Sequence, residues 1–173
     1  GFVWDARVEI LPLVPVRVVD MYKAGEGTLR AKILSSIPVA DSEPSPELNS
    51  GELMRYLAET VWFPTALLPG EGVDWEPIGE TSAVASLDHG GTRVSLIFYF
   101  NSRDEVDRVV AEGRYRKVGD TFEPTQWTGR FSNYEIRNGM LIPICGEVSW
   151  NLPEADLSYW RGRLMKIEHH PGP

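Results

Sequence analysis

The chain lacks nearly every residue pattern on which a chemical assignment usually rests. It holds one cysteine, Cys145, in 173 residues, so no internal disulfide forms and the thiol does not fix a compartment. No stretch approaches the roughly 20 apolar residues that a membrane-crossing helix needs. Basic residues are outnumbered, 17 Lys and Arg against 25 Asp and Glu for a net charge of −8, and they form no run. A balance of that sign repels polyanions, and nucleic acid is not an expected partner. The histidines are His89, in a turn, and the adjacent His169 and His170 near the end, and neither HExxH nor CxxC occurs. No metal and no cofactor is therefore expected. No serine has a GxSxG setting, and Gly25-Glu26-Gly27 lacks the third glycine and following helix of a phosphate loop.

What is present reads as one domain spanning 1–173: 42% of residues are hydrophobic and 24% charged, ordinary for a folded chain of this length. The first residues, Gly1-Phe2-Val3-Trp4, are already in a strand rhythm and carry no initiator Met. This predicts that one or more strands, and an N-terminal anchor with an extracytoplasmic or membrane-anchored location, precede residue 1.

Phe2 to Ile10 alternate apolar and polar at each step, the signature of a half-buried strand. After the bend at LPLVP, Gly25-Glu26-Gly27 separates two alternating segments as a hairpin turn. The proline- and serine-rich IPVADSEPSPEL reads as a connector. Further on, TSAVASL and RVSLIFYF flank Asp88-His89-Gly90-Gly91, and YEIR and MLIPI flank Asn138-Gly139, a strong hairpin signal. GEVSWNL and SYWRGRLMKIEHH alternate again. Strands joined by short turns imply an antiparallel sheet.

The one confident helix is in LNSGELMRYLAETVW. Asn49 with Glu52 fits a capping box, Leu53, Leu57 and Val61 make one apolar edge, and Met54, Ala58 and Trp62 the next. Pro64 ends the regular helix near Trp62 and leaves TALLP as a turn or second half-helix. The fold expected is α+β and mostly β: a curled antiparallel sheet, half-barrel-like, with this helix packed in its concave face.

RYLAETVWFPTALLP, VDWEPI, IPICGEVSW and YWRGRL together resemble an uncharacterised bacterial family known only as a domain of unknown function. The resemblance spans nearly the whole chain and implies no established activity. In shape, a curled sheet with a helix in its hollow is similar to the Lol-type lipoprotein carriers, half-barrels that hold acyl chains; that analogy implies a lipid-like ligand.

Arg55 and Glu59 stand one helical turn apart and pair on the helix surface. Glu59 in a hollow is a candidate base, but no second catalytic group is aimed with it, so the pair reads as structural and no catalytic residue is assigned. Cys145, in an apolar segment without a neighbouring histidine, reads as a buried thiol. The aromatic content, six each of Trp, Tyr and Phe, is the most informative excess. Trp4, Trp62, Phe63, Trp75, Phe98, Trp127 and Trp150 either fill the hollow as core or line a cavity in it. From these, Trp62, Phe63, Phe98, Trp127 and Trp150 are the candidate ligand-binding residues. The leading functional expectation is a non-enzymatic carrier for a hydrophobic, lipid-like molecule between helix and sheet. An enzyme using Glu59 and Arg55 in the hollow is one alternative. Another is an extracytoplasmic interaction domain that pairs through a sheet edge, a homodimer included.

Overall fold

Alternating sequence at the start of the chain becomes paired strands. The computed structural model describes residues 2–11, 14–23, 26–33, 37–42 and 45–168, with side chains described for 45–168 and, before them, for Val19, Glu26 and Thr28. Strands β1 (Phe2–Leu11), β2 (Val14–Lys23), β3 (Glu26–Ile33) and β4 (Ile37–Ser42) form an antiparallel sheet in that order. The tip of the Gly25-Glu26-Gly27 turn, at residues 24–25, lies outside the described residues, as do His169 and His170 and the side chain of Trp4.

Part of the expected connector is structured. Residues 37–42 form β4, the outermost strand of this sheet, where Pro38 sits beside a register irregularity, the kind of position at which a strand tolerates proline. The helix α1 (Pro46–Glu59) also starts earlier than the Asn49 box implied. Ser45 is its cap, its hydroxyl accepting from the Leu48 N–H at 3.2 Å, and Pro46 occupies the first turn, where an N–H has no helical partner. The rod tightens into a 3-10 turn over Thr60–Trp62, and Pro64 opens a second over Pro64–Leu67, the half-helix expected of TALLP.

Seven strands follow: β5 (Val73–Gly79), β6 (Ser82–His89), β7 (Thr92–Phe100), β8 (Val106–Val118), β9 (Thr121–Arg137), β10 (Met140–Asn151) and β11 (Asp156–Arg163). They make one curled, unclosed antiparallel sheet, with β11 and β5 at its ends and each strand bonded to its sequence neighbour. The β9–β10 hairpin turns at Asn138 and Gly139, whose φ values of 52° and 82° are left-handed, as such a two-residue turn requires. YEIR and GEVSWNL prove to be pieces of longer strands, of 17 and 12 residues.

The apolar edge of α1 meets this sheet. Leu53, Leu57, Ala58 and Val61 are buried in one cluster with Val94, Leu96 and Phe98 of β7 and Val109 and Ala111 of β8. Each such side chain contributes about 1.5–3 kcal/mol on full burial. The helix also lies close to β2 and β3. Phe98 at 0% exposure, with Trp75 edge-on to it at 5.1 Å, fills the interior solidly here.

Candidate functional site

Packing is not solid everywhere. Between α1 and the β9, β10 and β11 end of the sheet lies a cavity of about 500 Å³. Its helical wall is Arg55, Ala58, Glu59 and Trp62, a stripe at spacings of three and four residues.

Its floor is a pair of glycines. Gly146 of β10 stands directly opposite Gly162 of β11. A Cβ on Gly162 would lie 2.4 Å from the Trp160 ring, and one on Gly146 would lie 3.3 Å from the rings of both Trp160 and Trp62. The Trp160 ring therefore closely covers the bare backbone of Gly162 and Gly146, and the Trp62 ring that of Gly146, approaches that the missing Cβ allows. Trp62 is fixed there by its Nε1–H, which donates to the Pro143 carbonyl at 2.9 Å, and by Phe131, edge-on at 5.7 Å.

Two β-bulges supply the polar end. In β8, Val109 and Ala111 point into the core, and simple alternation would turn Arg114 outward. The register slips by one residue between Ala111 and Arg114, which reverses the phase and sends Arg114 inward to line the cavity. In β11 a slip between the Val148 and Ser149 pairings leaves Tyr159 as the extra residue, so Tyr159 and Trp160, adjacent in sequence, both line the cavity.

These residues meet. Trp127 Nε1–H donates to the Tyr159 hydroxyl at 2.9 Å, and Arg114 Nη1 donates to the same oxygen at 3.3 Å. Arg114 Nε donates to the Gly51 carbonyl of α1 at 3.3 Å, and its Nη2 is 3.9 Å from the buried Glu52 carboxylate. The guanidinium lies 5.3 Å from the Trp127 ring and 5.5 Å from that of Trp150, which stacks on Tyr159. Its side chain is only 12% exposed. Along the helical wall, Arg55 Nε donates to Glu59 Oε1 at 2.9 Å. Glu147 accepts from Arg161 at 3.0 Å, and that bond first, then one from Ser158, holds its carboxyl below the usual carboxylate range.

The candidates from sequence thus separate. Trp62, Trp127, Arg55 and Glu59 line the cavity, and Trp150 stands behind Arg114 and Tyr159. Phe98 is in the solid core, and Phe63 packs on Tyr56 at 5.7 Å; neither is among the lining residues. Cys145 is half-buried rather than buried, and its sulfur accepts from Asn133 at 3.3 Å. Arg114, Tyr159, Phe131 and Trp160 were not anticipated. A usable signal existed for Trp160: a glycine two positions from a tryptophan within a strand pattern marks a ring laid on backbone. Among the described residues no three His, Cys, Asp or Glu side chains gather as metal ligands, and no helix is long and apolar enough to cross a membrane.

The chain belongs to a family of unknown function, DUF6920, whose model matches residues 1–169. No curated protein and no solved structure matches it.

Proposed function

We propose that this member of the DUF6920 family is a binding domain for a hydrophobic small molecule, seated between α1 and strands β9 to β11. The cavity carries the reading. Its volume of about 500 Å³ falls within the ~300–1,000 Å³ typical of ligand sites, and aromatic rings with a few converging polar groups are the usual lining. Trp62, Trp127, Phe131 and Trp160 all border this space, Trp127 and Phe131 while also belonging to the buried core.

The energetics suit a ligand with an extended apolar part. Each methylene moved from water into the cavity gains about 0.8 kcal/mol, against an association cost of about 4–15 kcal/mol, so a flexible chain needs many buried carbons to bind usefully. Arg55 and Glu59 line the same space and give the enzyme alternative its one foothold. Glu59 is engaged by Arg55, and no Ser, Cys or His is among the described lining residues, so binding is the better-supported reading.

The test is titration of delipidated protein with a fluorescent fatty-acid analogue, followed by emission from the cavity tryptophans. Saturable binding that is competed by unlabelled long-chain compounds is expected. Absence of saturable binding across fatty acids, fatty alcohols and phospholipids would remove the proposal.

A further inference from the structure

We infer that the cavity selects a single-chain amphiphile with an anionic oxygen headgroup, a carboxylate or a phosphate monoester, and that Arg114 with the Tyr159 hydroxyl receives that headgroup. This rests on the binding function proposed above and adds the chemistry of the occupant.

The charges and the hydrogen-bond donors at the polar end favour an anion. Glu59 is matched by Arg55 at 2.9 Å, and Glu147 by Arg161 at 3.0 Å. Arg114, which is paired with Glu52, and Arg163 are the remaining charged groups among the described lining residues. Arg114 forms an ion pair with the buried Glu52 carboxylate at 3.9 Å but no hydrogen bond to it, and its hydrogen bonds to Gly51 and Tyr159 are both long at 3.3 Å, so its donor fork is incompletely engaged. A guanidinium has five N–H donors in a planar fork shaped for two oxygens of one anion. Here the fork lies against the Trp127 and Trp150 rings and is only 12% exposed, so little ordering cost remains when an oxyanion arrives. A quaternary ammonium would compete with that guanidinium for the same rings.

The layout fits a headgroup at one end and a chain running from it. Arg114 meets α1 at Gly51, whereas Trp62 lies eleven residues further on, past the end of α1 in the 3-10 turn, about 16–18 Å at the rises of the two helix types. An alkyl tail directed from Arg114 past Ala58 would lie on Trp62 and Trp160 over the glycine floor.

The experiment compares four ligands of one chain length on the delipidated full chain by calorimetry: a fatty acid, a lysophosphatidic acid, the fatty alcohol and an alkyltrimethylammonium. One or both anions are expected to bind about tenfold or more tighter than the alcohol, the factor that one charge-assisted hydrogen bond supplies, and the cation weakest. Which anion is preferred separates carboxylate from phosphate as the headgroup. Arg114→Gln and, separately, Tyr159→Phe are expected to bring the affinity for the preferred anion down towards that for the alcohol. Equal affinity for anion and alcohol in the unaltered protein overturns the headgroup assignment whether or not either variant folds, and leaves hydrophobic binding standing. Preference for the cation also overturns it. No binding of any of the four defeats the underlying binding function and this inference with it.

Discussion

Arg114 and Tyr159 come within 3.3 Å of each other, 45 residues apart in sequence, and each arrives there through a β-bulge in its own strand. Without either slip the alternation of a regular strand would place one of them on the other face. Bulges occur where a sheet must re-aim a side chain, and here two of them converge on one hydroxyl.

Tyr159→Phe should destabilise the fold by about 1–3 kcal/mol. The reason is the buried Trp127, whose Nε1–H would lose its acceptor. Tyr159 is 48% exposed on an edge strand, a position where substitution ordinarily changes stability by less than about 0.5 kcal/mol. Urea unfolding of the variant distinguishes the two values, and a change within the ordinary surface range would show that the Trp127 bond contributes nothing.

Gly162→Ala should cost about 1–3 kcal/mol, because the new methyl would lie 2.4 Å from the Trp160 ring and the ring must leave the cavity. The strand conformation itself accepts alanine, and where nothing clashes the exchange usually gains about 0.4–1 kcal/mol. Repeating the change in a Trp160→Ala background should therefore remove the cost or reverse its sign. Thermal melts of the four proteins give the coupling directly; additive effects would mean that Trp160 does not lie on Gly162.

The Arg55–Glu59 pair, with side chains 18% and 24% exposed, should show a coupling of about 1–2 kcal/mol. That lies above the value of a fully exposed pair and below the cost of breaking a fully buried one. A double-mutant cycle with Arg55→Gln and Glu59→Gln measures it, and the coupling should shrink in high salt. A value near zero would return these side chains to a role in ligand binding alone.

Acid sensitivity should arise in part at Glu105, as at Glu147. Its Oε2 accepts from Arg103 Nη2 at 2.8 Å, Arg103 Nε at 2.9 Å and Asn101 Nδ2 at 2.8 Å. The Arg103 bonds first, and the Asn101 bond next, hold its carboxyl below the ordinary value of 4.5. A depressed folded-state pKa stabilises above the unfolded pKa and is lost as pH falls through the folded one. Stability should accordingly decline on acidification below about pH 4.5, with Arg103→Ala declining less over that interval. Carboxyl-carbon NMR titration of Glu105 in both proteins checks the shift, and an identical midpoint in the two would refute it.

How much of this was legible beforehand varies along the chain. RVSLIFYF announces β7, since Val94, Leu96 and Phe98 alternate without interruption and all three are buried. The Asn138-Gly139 turn is written in two residues whose backbone preferences are local. The helix is marked by Leu53, Leu57 and Val61, although the Asn49 box misplaced its start because Ser45-Pro46 satisfies the same end four residues earlier. By contrast the long course of β8 and β9 is obscured by polar residues on both alternations, by Gly113 and Pro124, and by the slip between Ala111 and Arg114.

Sequence alone determined what rests on short-range preference: the mostly β class, the antiparallel hairpins, the helix with its proline-stopped end, the Arg55–Glu59 pairing and the weight of aromatic residues near Trp62. Tertiary structure alone decided which of those aromatics fill and which surround. Trp62 and Trp127 border the cavity while Phe98 does not, because that depends on the floor Gly146 and Gly162 make across two strands, and on two bulges that bring Arg114 to the Tyr159 hydroxyl. A bulge shifts every side chain beyond it by one face while leaving composition and periodicity almost unchanged, and so the polar end of the cavity appears only once the strands are paired.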